Sequence, residues 1–290
     1  MKLYRDFTSQ EEIDSEYNIE HLVPDRLALV ARMAEESART RETLEAFLDV
    51  SYGPTLDETV DIFPAAAPGA PILIFIHGGY WRSFSNKDFS LVAAGPVARG
   101  ITVAAMNYSL CPKVTIPEIT RQSRAVVAWF YREGPRFNGD PGRIFVCGHS
   151  AGGQQVGMLA ATDWRGDYGL PADVVRGGIP ISGIYDLAPL AHSWLQPKLA
   201  LNHEIIRRES PLYNIPPGGP PLLNSLGENE SLEFHRQAAV YLDTWKANGL
   251  QAELLVQPGK NHITAVEDLA RPDSPLCTAL FDFVAGCEAQ

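Results

Sequence analysis

Ser150 stands at the centre of the sequence GHSAG, residues 148–152, which fits the pattern G-x-S-x-G. An apolar run precedes this sequence and a helical segment follows it. In a strand, turn and helix context, the pattern indicates a nucleophile elbow, where small residues let the chain double back and expose the serine hydroxyl. The same letters are also compatible with a glycine-rich turn that serves packing alone, so the interpretation depends on partners elsewhere in the chain.

A serine hydroxyl is a weak nucleophile and needs a base that a third group orients. In this kind of site the acid follows the serine along the chain and the histidine comes last. Two histidines, His235 and His262, lie after the later predicted strands. His262 follows an apolar run through a turn-rich loop, so we predict that it is the base. His235 occupies a helical position and is expected to be a solvated surface side chain.

Three glutamates, Glu228, Glu230 and Glu233, follow the predicted strand at residues 221–226. Glu230 lies three residues past Gly227, and this spacing favours it as the acid. Glu228 is the alternative, because its side chain could still point along the strand. Glu233 is expected to begin the next helix, where a carboxylate complements the helix dipole.

Attack on a carbonyl group creates a negative oxygen, which main-chain N–H groups can stabilise. The sequence HGGYW, residues 77–81, ends a strongly apolar run and contains two glycines that permit a sharp turn. We predict that Gly78 and Gly79, together with Ala151, supply these donors. A metal-binding role for His77 is the alternative, but no second ligand stands at a suitable spacing, so we predict no metal.

The elements that position these residues can be read from the apolar pattern. Continuous apolar runs indicate strands buried on both faces, as in parallel sheets; they cover residues 72–76, 101–106, 144–147, 174–182, 221–226 and 252–256. Helical patterns alternate with them, at residues 87–99, 117–132, 152–162, 232–248 and 274–284. This alternation predicts an α/β fold with a mostly parallel sheet and helices on both faces.

Other segments complete a single predicted domain over residues 1–290. The first fifty residues alternate as one or two outer helices would, and we treat residues 1–50 as an N-terminal helical extension. Residues 59–63 alternate as a half-buried strand does, and the turn region 64–71 behind them predicts an edge hairpin. The proline-rich stretch 186–219 is too long for a plain connector, so we expect a loop or cap inserted over the site.

The composition excludes several classes of protein. With 45% hydrophobic and 20% charged residues, the 290-residue chain is typical of a globular protein, and its net charge of −11 argues against nucleic acid as a partner. The acidic start lacks the pattern of a secretory peptide and no apolar run could span a membrane, so we expect a cytoplasmic protein. We predict no cofactor, and we leave the oligomeric state open, a homodimer included. The cysteines show no metal-binding spacing and are expected to be reduced thiols: Cys111, Cys147, Cys277 and Cys287.

Several of these motifs together resemble the arylformamidase, or kynurenine formamidase, branch of the α/β-hydrolase superfamily. They are HGGYW at 77–81, GHSAGG at 148–153, SGIYDLAPL at 182–190, GENESLEFHRQ at 227–237 and the late His262. The resemblance runs from about residue 17 to the last helix. It implies hydrolysis of N-formylkynurenine to kynurenine and formate, often with esterase activity. It also implies Ser150 as nucleophile, His262 as base and Glu230 where the family usually has an aspartate.

The residues after HGG suggest what the substrate is. Where lipases usually have a further glycine, this chain has Tyr80 and Trp81. We expect these rings to narrow the acyl side of the pocket, and Tyr185 with part of the 186–219 insertion to receive an aromatic leaving group. Trp81 and Tyr185 as plain core residues are the alternative. Two further functions stay open: a general short-chain carboxylesterase, and a non-catalytic ligand-binding protein on the same fold.

Overall fold

The computed structural model describes residues 2–288 and contains one eight-stranded sheet in the order β1-β2-β4-β3-β5-β6-β7-β8. All neighbouring pairs from β4 to β8 are parallel, whereas β2 pairs with β1 and β4 in antiparallel fashion. The mostly parallel α/β sheet predicted from the apolar runs is therefore confirmed. The strands are β1 (Phe47–Ser51), β2 (Thr59–Phe63), β3 (Ala70–Ile76), β4 (Thr102–Met106), β5 (Gly139–His149), β6 (Val175–Ile181), β7 (Leu222–Gly227) and β8 (Ala252–Gln257).

Helices cover both faces of the sheet. On β3, Ile72, Ile74 and Ile76 pack into a core with residues of α5 and α6, while Leu73 and Phe75 pack into a second core with residues of α3 and α12. This division follows from the alternation of side chains along a strand. The α-helices are α1 (Gln10–Tyr17), α2 (Ile19–Leu22), α3 (Arg26–Thr43), α4 (Ala94–Ala98), α5 (Ile116–Glu133), α6 (Ala151–Ala160), α7 (Trp164–Tyr168), α8 (Gln196–Leu199), α9 (His203–Glu209), α10 (Leu232–Ala247), α11 (Thr264–Glu267) and α12 (Pro275–Glu288).

The edge hairpin differs from the sequence prediction. The partner of β2 at the edge is β1, which lies within the stretch expected to be helical, and not the segment that follows β2. β3 cannot pair with β2 because both of its edges are occupied, by β4 on one side and β5 on the other. The turn region after β2 therefore carries the chain past β4 into the middle of the sheet.

The helix expected at residues 87–99 is also different. Short 3₁₀ turns at Asn86–Asp88 and Ser90–Ala93 precede α4, which begins only at Ala94. Pro96 explains the break, because it cannot donate a main-chain hydrogen bond and clashes with the preceding turn of a continuous helix. A proline is tolerated in the first turn of a helix, which is where α4 has it.

The N-terminal helices are tied to distant parts of the fold. The Tyr17 hydroxyl donates to Glu233 on α10 at 2.8 Å, and the main-chain N–H of Trp194, in the 186–219 stretch, donates to Asp14 at 3.1 Å. The hydroxyl of Tyr4 also donates to Asp186 at 2.8 Å. The start of the chain is thus held by α10 and by the proline-rich stretch, which itself contains α8, α9 and short 3₁₀ turns.

Among residues 2–288, no helix has the combination of length and apolar character needed to cross a membrane.

Gly152 brings the start of α6 into contact with β3. A Cβ atom at this position would lie 2.0 Å from the carbonyl oxygen of Ile76, and a backbone atom cannot move away cheaply. We expect Gly152→Ala to lower the free energy of unfolding by about 3 kcal/mol, measured by urea denaturation.

The matched control is Gly286→Ala in α12, where an added Cβ would meet nothing within 4 Å. This substitution should leave stability unchanged or raise it by up to about 1 kcal/mol, because alanine is the better helix former. Equal effects of the two substitutions would contradict the close contact between α6 and β3.

Candidate active site

Ser150 lies on the sharp turn between β5 and α6. Its backbone has a positive φ of 56° with ψ −115°, a conformation that costs energy in a residue with a side chain. The turn is held by a hydrogen bond from the Ser150 N–H to the carbonyl of Ile181 at 2.8 Å. It also needs glycine at 148, where a Cβ would lie 2.4 Å from the carbonyl oxygen of Gly152. The strained turn places the serine at the carboxyl end of the central strands.

His262 lies in the loop between β8 and α11 and connects two other predicted residues. Its Nε2 atom is 3.0 Å from the Oγ atom of Ser150. Its Nδ1 atom is 2.7 Å from an Oε2 atom of Glu230, which follows β7. A hydroxyl, an imidazole and a carboxylate from three separate loops therefore form one chain of hydrogen bonds.

The Glu230 carboxylate is buried, and protein groups donate hydrogen bonds to both of its oxygens. One oxygen faces His262, and the other accepts hydrogen bonds from the Ser182 hydroxyl and from the Gly227 N–H, the latter at 2.8 Å. Burial alone would raise the pKa of Glu230, but the adjacent His262 and these hydrogen bonds outweigh burial and hold it below its ordinary value. The group therefore stays ionised and can orient the N–H of the imidazole.

The other residues considered for these roles lie elsewhere. Glu228 is exposed and accepts a hydrogen bond from the Gly259 N–H at 2.8 Å. Glu233 is in the first turn of α10, as expected, and is paired with Arg236 and Tyr17. His235 is half-buried on the same helix, with its Nε2 atom 3.1 Å from the carbonyl oxygen of Glu228. No hydrogen bond joins any of these three side chains to His262 among residues 2–288.

The turn after β3 lies directly against the serine. A Cβ atom at Gly78 would be only 3.1 Å from the Cβ atom of Ser150. Within the described part of the chain, the main-chain N–H groups of Gly78, Gly79 and Ala151 have no hydrogen-bond acceptor. Gly79 has a φ of 113°, which a side chain rarely permits. Unpaired donors beside a hydroxyl are what a developing oxyanion requires.

His77 supports this turn from behind. Its ring is fully buried and stacks on Tyr108 with a centroid distance of 4.1 Å. Its Nδ1 atom lies 2.8 Å from the carbonyl oxygen of Gly78, to which it donates as the neutral ring. Burial lowers the pKa of His77 to about 4, so the ring carries no charge near neutral pH. The structure describes no cluster of three or more His, Cys, Asp or Glu side chains, within residues 2–288, that could hold a metal ion.

Sequence reasoning missed His149, the residue before the serine. Its Nε2–H donates to the main-chain carbonyl of His262 at 2.7 Å, and the two rings are 4.9 Å apart. Burial lowers the pKa of His149 to about 3, and the nearby His262 contributes to that shift. A neutral imidazole therefore holds the backbone of His262 in place. The pattern G-x-S-x-G leaves this position unspecified, so no local signal marks it.

Ser150 faces a cavity of about 320 Å³. The N-terminal segment builds one wall of it, which the sequence did not predict, and the 186–219 stretch contributes only Trp194. The lining residues are Asn18, Ile19, Glu20, Arg26, Leu27, Val30, Met33, Gly79, Tyr80, Arg82, Ser83, Phe84, Asp88, Phe89, His149, Ser150, Trp194, His262 and Ile263.

Two of the three aromatic residues predicted to bind substrate do not reach this cavity. Tyr80 lines it, but Trp81 is fully buried and donates its indole N–H to Gln154 at 3.0 Å. Tyr185 is also fully buried, stacked on Tyr241 with a centroid distance of 4.3 Å. Their burial favours the alternative that both are core residues, because partners distant in sequence hold these rings away from the cavity.

The fold and the cleft with its serine, imidazole and carboxylate define the class: the chain is a hydrolase of the α/β-hydrolase superfamily. A family profile described as BD-FAE matches residues 60–175. Kynurenine formamidase of Salmo salar is 27% identical over 259 residues, which cover 87% of this chain and 86% of that protein. Carboxylesterase NlhH of Mycobacterium tuberculosis is 27% identical and covers 73% of each chain.

The structural comparison agrees with the sequence comparison. The crystal structure of a candidate thioesterase from Silicibacter sp. TM1040 superposes with a TM-score of 0.81 at 27% identity, covering 93% of this chain and 99% of that one. Within its superfamily, the chain is arylformamidase-like, as its motifs suggested.

The two neighbouring glutamates provide a sharp test of the acid. We expect Glu230→Gln to lower kcat for phenyl acetate on the order of 10³–10⁴-fold, because an amide neither fixes the imidazole tautomer nor stabilises its cation. Glu228→Gln removes the same charge from an exposed side chain and should change kcat by less than about threefold. A larger loss from Glu228→Gln would move the acid to that residue.

His149 should make stability depend on pH. Because its pKa is about 3 in the folded chain, below the ordinary 6.5, acid protonates it first in the unfolded chain. Stability is therefore lost as pH falls from about 6.5 towards 3, by about 1.4 kcal/mol per pH unit for one proton. Glutamine can keep the donor but does not titrate, so His149→Gln should flatten the dependence in urea denaturation between pH 7 and 4. Parallel profiles of the two proteins would contradict this.

Proposed function

We propose that this protein is an arylformamidase, which removes a formyl or other short acyl group from an aromatic amine. The substrate that we propose is N-formylkynurenine, because the similar enzyme of Salmo salar is a kynurenine formamidase. The observation that carries the proposal is the hydrogen-bonded chain from Ser150 through His262 to Glu230, with distances of 3.0 and 2.7 Å, at the wall of a cavity. The resemblance to formamidases over most of the chain supports the choice of acyl group.

The proposed reaction begins when His262 takes the proton of Ser150, which attacks the carbonyl carbon of the formamide. The negative oxygen that forms accepts hydrogen bonds from the unpaired N–H groups of Ala151 and of Gly78 or Gly79. Each such donor lowers the barrier by about 3–4 kcal/mol. Because these donors are fixed by the backbone, they need no rearrangement as the charge develops.

The cationic His262, steadied by the ionised Glu230, then donates its proton to the departing nitrogen. An unprotonated amine leaves badly, so amide cleavage depends on this step. The formyl group remains on the Ser150 oxygen as an ester. A water molecule loses a proton to His262 and attacks that ester, which releases formate and restores the serine.

The walls of the cavity suit a small acyl group joined to an aromatic ring. The Tyr80 hydroxyl is fixed by donating to the main-chain carbonyl of Tyr17, so its ring cannot swing away to admit a long chain. Trp194 packs edge-on against Tyr80 with a centroid distance of 5.6 Å, and Phe84 and Phe89 add further aromatic surface. The volume of about 320 Å³ is at the lower end of the usual range for small-molecule sites.

A short-chain carboxylesterase is the second candidate, favoured by the similarity to the mycobacterial carboxylesterase. The same side chains would cleave an aryl ester, whose phenoxide leaves more readily than an amine. The two candidates therefore differ only in their preferred substrate.

The deciding experiment compares kcat/KM for N-formylkynurenine, phenyl acetate and phenyl octanoate. We expect the formamide to be cleaved, phenyl acetate to be a substrate as well, and phenyl octanoate to be the poorest of the three. Ser150→Ala should lower kcat on the order of 10⁴–10⁶-fold for every substrate.

Ser51→Ala, on the exposed edge strand β1, is the matched control and should retain full activity. Turnover of phenyl acetate without turnover of the formamide would favour the carboxylesterase. Activity that survives Ser150→Ala would overturn the serine mechanism, and preference for the octanoate would overturn the narrow acyl site. No turnover at all would favour a ligand-binding protein.

A further inference from the structure

Arg82 brings an uncompensated positive charge to the wall of the cavity that holds Ser150. It is half-buried, and its Nε atom is buried without any hydrogen-bond partner. No carboxylate among residues 2–288 lies within 4.0 Å of its guanidinium nitrogens. Removing such a group from water without a partner costs free energy. The unpartnered guanidinium of Arg82 at the cavity wall therefore points to a substrate that carries an anionic group.

The other charged groups that line the cavity already have partners. Glu20 forms an ion pair with Arg26 at 3.1 Å. Asp88 accepts hydrogen bonds from the N–H and the hydroxyl of Ser85, at 2.8 and 3.1 Å. Arg26 is neutralised by Glu20, and neither acid neutralises Arg82. Among the side chains that line the cavity, Arg82 is thus a cation without an acidic partner.

The backbone of Arg82 is also fixed relative to the reacting atoms. Its N–H donates to the carbonyl of Gly79 at 3.1 Å, so it belongs to the same turn that presents N–H groups to the Ser150 site. Its charge reaches the neighbouring hydroxyl: burial raises the pKa of Tyr80, and Arg82 acts to lower it. A ligand group held by Arg82 would therefore be positioned by the turn that also holds the oxyanion.

We propose that Arg82 is a specificity-determining residue that binds a carboxylate on the aromatic part of the substrate. A planar guanidinium matches a carboxylate with two parallel hydrogen bonds. A single unpaired cation among aromatic walls suits one carboxylate better than a phosphate dianion, which several cations usually bind. This inference rests on the proposed hydrolase function and deepens it, because it names the residue that selects a substrate bearing a carboxylate, such as N-formylkynurenine.

The test uses two acetate esters that differ in one charge, 3-acetoxybenzoate and phenyl acetate. In the unmodified protein, kcat/KM should favour the anionic ester. Arg82→Gln should lower the ratio of the two kcat/KM values by about 10- to 100-fold, mainly through KM for the anion. Arg82→Lys keeps the charge but not the planar pair of donors, so its ratio should fall between the two.

Arg132→Gln is the matched control, because Arg132 is exposed on α5 outside the cavity. It should keep the ratio of the unmodified protein. Equal losses on both esters in Arg82→Gln would show a structural role only, and an unchanged ratio would overturn the proposal outright.

A second measurement needs no variant and no turnover. Benzoate should bind the unmodified protein at least about tenfold more tightly than benzamide in calorimetry, since only benzoate carries the charge. Equal affinities would overturn the anion site. If Ser150→Ala abolishes hydrolysis while the unmodified protein binds benzoate and benzamide equally tightly, the hydrolase function stands and the Arg82 proposal fails. If the protein cleaves no ester or formamide but binds benzoate more tightly than benzamide, the anion site at Arg82 stands and the hydrolase function fails.

Discussion

The hydrogen bond between the Glu230 carboxylate and Nδ1 of His262 is the interaction on which the site depends. It fixes which imidazole nitrogen carries the proton, and thereby leaves the other free to face Ser150. A buried carboxylate could not remain charged alone, so Ser182 and Gly227 must supply its remaining donors. Donors at the ends of β6 and β7 thus stabilise the negative charge of Glu230.

A second set of contacts, made by His149 and Phe234, holds His262 in place. His149 holds the main-chain carbonyl of His262, and the ring of Phe234 packs against the His262 ring with a centroid distance of 4.5 Å. His149 can serve as a donor of constant charge because burial keeps it neutral. The residue before Ser150 thus couples the turn after β5 to the loop after β8. The neutral ring of His149 therefore fixes the relative positions of two loops that come from different parts of the sheet.

Much of the sheet could be predicted because buried parallel strands consist of continuous apolar runs, as at residues 72–76 and 144–147. Ser150, Gly78 and Gly79 could be singled out because their turns impose local demands on residue size and backbone angle. Trp81 and Tyr185 could not be placed, since Gln154 and Tyr241 decide where those rings lie. Pairing in the β1–β2 hairpin likewise depends on which edges other strands have already occupied.

The role of the N-terminal helices was equally invisible in the sequence, because it depends on contacts that span more than 200 residues, such as Tyr17 with Glu233. These same contacts have a consequence for biosynthesis. The N-terminal helices form a wall whose anchors, Trp194 and Glu233, are translated much later. The chamber beside Ser150 can close only after α10 has emerged. Until α10 has been made, Ile13 and Tyr17 of α1 lack the helix against which they pack and stay exposed to water.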